Sequence, residues 1–64
     1  MINSMIVESE SKDWSGLFKL SVIADRKPYE FTIRTRKEVE FVKRAVQSKF
    51  YGRAMSMLKR INVK

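Results

Sequence analysis

The sequence predicts an α+β domain: a three-stranded antiparallel β-meander followed by a C-terminal helical segment, in the order βββα. Three observations carry this. Phe18, Leu20, Val22 and Ala24, and again Tyr29, Phe31 and Ile33, alternate with their neighbours at the period of a strand with one face in a core. From Val39 the period changes to three and four, through Val42, Val46, Phe50, Ala54, Met57 and Ile61, which makes one stripe on a helix. Between the two regimes stands Thr35-Arg36-Lys37-Glu38, a capping-box pattern in which the threonine hydroxyl accepts from the Glu38 amide and the carboxylate reaches back.

The elements follow in order. Met5 and Val7 alternate with Ile6 and Glu8 as a short first strand, and the polar run Ser11–Gly16 reads as a loop. A strand over 17–24 ends at Asp25-Arg26-Lys27-Pro28, where proline favours a turn or a strand edge. The third strand covers 29–34, and the connection between these two strands is short enough for a hairpin. The helical segment spans 36–61. Gly52 costs it about 1 kcal/mol relative to alanine, and an unbroken helix would overhang a short sheet, so a kink or break is expected near Tyr51-Gly52. Met55, Met57, Ile61 and Val63 also alternate, which leaves a fourth strand over 54–63 as the alternative. The helix propensities of Ala54, Met55, Met57, Leu58, Lys59 and Arg60 favour helix. Trp14, in the polar loop, is expected to cap one end of the core, with a platform for a partner as its second reading.

Residues 1–64 form one domain. A chain of this size buries only about 60% of the surface its unfolded form exposes, so its stability is expected to be marginal. It has no cysteine, hence neither a disulfide nor a thiolate metal site to compensate. Its composition, 44% hydrophobic with one proline and two glycines, is that of a folded chain. The sequence starts with no basic, apolar leader and contains no run of the roughly 20 apolar residues that span a bilayer. A cytoplasmic, soluble protein with no membrane contact is the expectation.

The residue types argue against catalysis. The chain has no histidine as a general base near neutral pH, no cysteine nucleophile, and serines mostly in loops without a base to activate them. With only Gly16 and Gly52 it has no glycine-rich phosphate loop. Glu8 and Glu10 share a strand face on the simple alternation, with Glu30 as a neighbour, but exposed strand-face acids are ordinarily solvated. No enzyme activity, metal or cofactor is expected.

Charge points to binding instead. Lysine and arginine number 14 against 7 acids, a net charge of +7. All seven acids lie in residues 1–40 with seven bases, whereas residues 41–64 carry seven bases and no acid. Such segregation creates a field that attracts polyanions. On the helical wheel, Lys37, Phe41, Arg44, Ser48, Tyr51, Met55 and Lys59 lie opposite the core stripe, so large apolar groups alternate with cations on the outer face. The candidate contact residues are Lys37, Phe41, Lys43, Arg44, Tyr51, Arg53, Lys59 and Arg60. Cations offset phosphates and rings stack on unpaired bases. The first expectation is therefore a small non-enzymatic nucleic-acid-binding accessory protein, with RNA or single strands preferred on the strength of the aromatics. The alternative is a small inhibitor or adaptor that docks its basic helix on an acidic protein. The same row also suits a homodimer that buries Phe41 and Met55 about a twofold axis.

Phe31-Thr32-Ile33-Arg34, then Lys37-Glu38-Val39 and Gly52-Arg53, partly resembles ribbon-helix-helix DNA-binding proteins of the Arc type over about half of the chain. The resemblance implies a strand paired across a dimer, two following helices, a repressor function, and Glu30, Thr32 and Arg34 facing bases. The chain departs from that pattern where Ala54 replaces the usual serine-like cap, where no proline follows the strand, and where the strand over 17–24 competes for the pairing.

Overall fold

A computed structural model describes residues 2–63. It has the expected architecture: strands β1 (Met5–Lys12), β2 (Phe18–Ala24) and β3 (Lys27–Ile33), then helices α1 (Arg36–Gln47) and α2 (Tyr51–Ile61). The sheet is antiparallel throughout, in the order β1-β2-β3. Phe18, Leu20, Val22 and Ala24 of β2 and Phe31 and Ile33 of β3 are buried, as their alternation requires. Both helices lie on that face, contributing Val39, Val42 and Ala45 from α1 and Ala54, Met55 and Leu58 from α2. The other face of the sheet is open.

β1 and β3 differ from their sequence readings for local reasons. β1 runs to Lys12 rather than ending near Glu8, because a bulge between Val7 and Ser9 absorbs one residue without ending the pairing. The bulge also changes which side chains face the helices. Before it, Met5 and Val7 oppose Ala24 and Val22 of the core row; after it, Glu10 and Lys12 oppose Leu20 and Phe18. Glu8 falls in the bulge without a partner on β2, and Glu30 lies two strands away on β3. Among the described residues no group of three or more acids is placed to hold a metal ion. The β2–β3 turn is only Asp25-Arg26, both at positive φ (50° and 69°), which is the two-residue turn that matches strand twist. Lys27 and Pro28 consequently belong to β3, where proline is tolerated at a sheet edge.

Trp14 does not cap the core. It is 99% exposed, at the tip of the β1–β2 connection. The connection itself is closely tied: Asp13 Oδ1 accepts from the Ser15 amide (2.9 Å), the Ser15 hydroxyl (2.6 Å) and the Leu17 amide (3.0 Å). The Gly16 amide donates to the Asp13 carbonyl, and the Asp13 amide donates to the Leu17 carbonyl. The Ser15 hydroxyl, first, and then the Leu17 and Ser15 amides hold the Asp13 carboxyl below the usual aspartate range.

The capping box forms at the start of α1. The Thr35 hydroxyl oxygen accepts from the Glu38 amide at 3.4 Å, and its proton goes to the Glu38 carboxylate at 2.8 Å, so the carboxylate reaches the hydroxyl rather than the backbone. The helical segment does break, but three residues earlier than Gly52. Ser48 ends α1 and Lys49 takes φ 65°. The Lys49 amide donates to the Val46 carbonyl and the Phe50 amide to the Ala45 carbonyl, the two bonds of a Schellman ending. Gly52 sits within the first turn of α2.

The alternative of a fourth strand over 54–63 is not what forms, because α2 continues to Ile61. The last described residues do approach the sheet. Thr32 donates its amide to Asn62 Oδ1 (2.8 Å), and its carbonyl accepts from the Val63 amide (2.7 Å). This short strap and the pairing with β2 occupy both sides of β3 at Thr32, so the ribbon pairing between two chains that the partial resemblance implies has no free strand there. No helix among the described residues is long and apolar enough to cross a membrane.

Candidate functional site

The turn at 48–50 resets the helical phase. On one continuous wheel Phe50 belongs to the core stripe and Met55 to the outer row; the structure reverses both, with Phe50 59% exposed and Met55 buried. Leu58, outside the expected stripe, is fully buried. Tyr51 is half-buried and packs against the core, so it leaves the outer row as well.

Phe50 meets part of the expected surface at the helix junction. Phe41, Arg44 and Ser48 of the α1 end, spaced three and four apart, project along one side. Phe50 and Arg53 project from the start of α2, with the Arg53 guanidinium 5.7 Å from the centre of the Phe50 ring. Together with Ala45 these residues line a shallow groove of about 190 Å³. Phe41 is 50% exposed, so two phenyl rings flank a small apolar floor and two guanidinium groups stand at its edge.

The other expected contact residues are distributed around this groove. Lys37 is exposed in the first turn of α1, one turn before Phe41. Lys43 is half-buried and forms an ion pair with Glu10, which the β1 bulge has turned toward the helices. It acts as a bridge between α1 and β1 rather than as part of the groove. Lys59 and Arg60 are exposed on α2, Lys59 beside Lys27 and Tyr29 in a separate hollow of about 220 Å³.

The electrostatics of the helical layer are one-sided. Its acids are engaged: Glu38 in the cap, Glu40 with Arg36 at 3.6 Å, and Glu10 with Lys43. Among the described residues no carboxylate pairs with Arg44, Lys49, Arg53, Lys59 or Arg60. Between Arg53 and Lys59 the exposed positions of α2 include Ser56, and Gly52 precedes Arg53, so small residues separate the long cations. Such a surface allows close approach of a charged backbone.

Phe50 is the groove residue that a single helical wheel misses. Periodicity alone does not find it, because Phe50 lies four residues before buried Ala54 and shares its face on any α2 wheel; its exposure follows from its place in the turn that precedes α2. Comparison with family models, curated proteins and solved structures returns no match for this chain.

Proposed function

We propose that this protein is a non-enzymatic, single-strand-preferring nucleic-acid-binding protein whose contact surface is the helix-junction groove and the adjoining acid-free face of α2. The observation that carries the reading is that exposed Phe41 and Phe50 line one groove together with Arg44 and Arg53. Exposed rings contribute roughly 1–3 kcal/mol each when a base stacks on them, and that gain requires bases released from a duplex. The arginines and the neighbouring Lys49 and Arg60 supply the sequence-independent attraction to phosphates. Binding rather than turnover is consistent with a chain that lacks histidine and cysteine.

The test is fluorescence anisotropy of labelled single-stranded and duplex oligonucleotides across a salt series. If about four cations contact phosphates, log K falls against log[salt] with a slope near −3 for single strands. The double substitution Arg44→Glu/Arg53→Glu is expected to reduce affinity for all sequences with little change in the fold, since both side chains are exposed. No binding at low salt, or an affinity indifferent to salt, would overturn the proposal. The same groove suits an acidic protein segment, with the two phenyl rings as its apolar anchors. A lysate pull-down that retains one stoichiometric protein after nuclease treatment, with no oligonucleotide affinity, would favour that reading.

A further inference from the structure

The groove leaves the most exposed aromatic side chain of the molecule unexplained. Trp14 stands clear of the protein on a turn that five hydrogen bonds to or from Asp13 keep in shape, so the ring is presented rather than left on a slack loop. Cations surround the base of that turn. Lys12 and Arg36 both lie over the Phe18 ring, at 5.6 and 5.7 Å. Lys19 is exposed one residue after Phe18, and Arg34 is exposed directly after Ile33, the residue paired with Phe18. The single acid at the tip, Asp13, has its Oδ1 oxygen directed to Ser15 and Leu17.

We infer that Trp14 is a stacking platform for one unpaired nucleobase, with Lys12, Lys19 and Arg34 contacting the flanking phosphates. This rests on the proposed function and extends it to a second contact point. A base needs a flat exposed ring and nearby cations, and both are present. A bilayer would have to accept Ser11, ionised Asp13 and Ser15 along with the indole, and a protein pocket would lack an apolar rim to meet. Arg36, at this end of the molecule, precedes the groove residues Phe41 and Arg44 on α1 by roughly 8–12 Å of helix. A strand engaging both points needs more nucleotides than one engaging either alone, within the range of about 4–16 known for single-strand binders.

Trp14 is the sole tryptophan, so its emission reports directly on this contact. The full-length chain is titrated with single-stranded oligonucleotides of increasing length, following anisotropy of the labelled strand and tryptophan emission together. The expected result is quenching that saturates with the anisotropy signal, at lower concentrations for strands long enough to engage both points. Trp14→Ala should weaken binding of the longer strands about ten- to hundredfold, and Trp14→Phe by less, with unchanged circular dichroism. Normal anisotropy with unchanged emission and undiminished affinity of Trp14→Ala would overturn the inference and leave the groove proposal standing. Equal quenching by duplex would also overturn it. So would a blue shift with anionic lipid vesicles that oligonucleotides do not produce, which would make the tip a membrane contact. Loss of all binding in the low-salt anisotropy assay would remove both proposals together.

Discussion

The two helices lie side by side on one sheet, yet they are built on opposite terms. α1 begins with a threonine cap closed by Glu38 and carries an Arg36–Glu40 pair one turn apart. α2 begins at Phe50 with no side-chain cap and no acid in its first turn, and Gly52 is its second residue. At the third position of each helix, where an acid complements the exposed amides and the dipole, α1 has Glu38 and α2 has Arg53. The local sequence therefore supports α1 directly, whereas α2 depends on burial of Ala54, Met55 and Leu58 and on the strap from Asn62 and Val63 to Thr32. What α2 lacks in local support it has as an anion-attracting surface. A residue that would stabilise its first turn is one that the surface could not carry.

If α2 is held by burial, its core residues should show the largest effects on stability. Leu58→Ala should cost about 2–5 kcal/mol, enough to unfold much of a domain of this size at 25 °C. Met57→Ala, at a half-buried position, should cost clearly less. Urea denaturation with circular dichroism measures both, and the reverse order would restore one continuous helical stripe. The next effect belongs to α1. Thr35→Ala removes the cap and should cost about 1 kcal/mol by the same measurement. A silent Thr35→Ala would mean that α1 is no better secured locally than α2, and the contrast would collapse.

The same contrast explains what was legible in the sequence. The period of two through Phe18–Ala24 and Phe31–Ile33, and the Thr35–Glu38 cap, are strong local signals, and the elements they mark formed where expected. The bulge in β1 is carried by no special residue type, so alternation alone put Glu10 on the wrong side. The helix break was foreseen in kind but assigned to Gly52, because a left-handed helix ending ordinarily uses glycine and here uses Lys49. Projection of 36–61 on one continuous wheel ignores the change of phase at that turn, which exchanged Phe50 with Met55 and concealed half of the groove. Arg44, Phe41 and Arg53 survived it, two because they precede the break and one because α2 is exposed over a wide arc. The displaced turn makes its own prediction. Lys49→Gly removes the side chain that opposes positive φ and should raise stability by about 0.5–1 kcal/mol in urea denaturation, whereas a loss would show that Lys49 makes a compensating contact.

The smallest effect on stability gives the sharpest test, because its sign separates folding from binding. Arg53 occupies the third position of α2, where its cation lies close to the unpaired amides of the first turn. An exposed charge there is worth about 0.3–1 kcal/mol, unfavourable for arginine and favourable for glutamate. Arg53→Glu should therefore stabilise the domain slightly, with the loss of its stacking on Phe50 offsetting part of the gain. In the anisotropy assay the same substitution should weaken single-strand binding severalfold or more and make the salt slope shallower by at least the equivalent of one phosphate contact, about 0.7. Higher stability with lower affinity would show that the first turn of α2 is arranged for its surface rather than for the helix. Lower stability would mean that Arg53 is a structural residue held by Phe50. Unchanged affinity in a stable variant would take Arg53 out of the contact surface and remove one wall of the proposed groove.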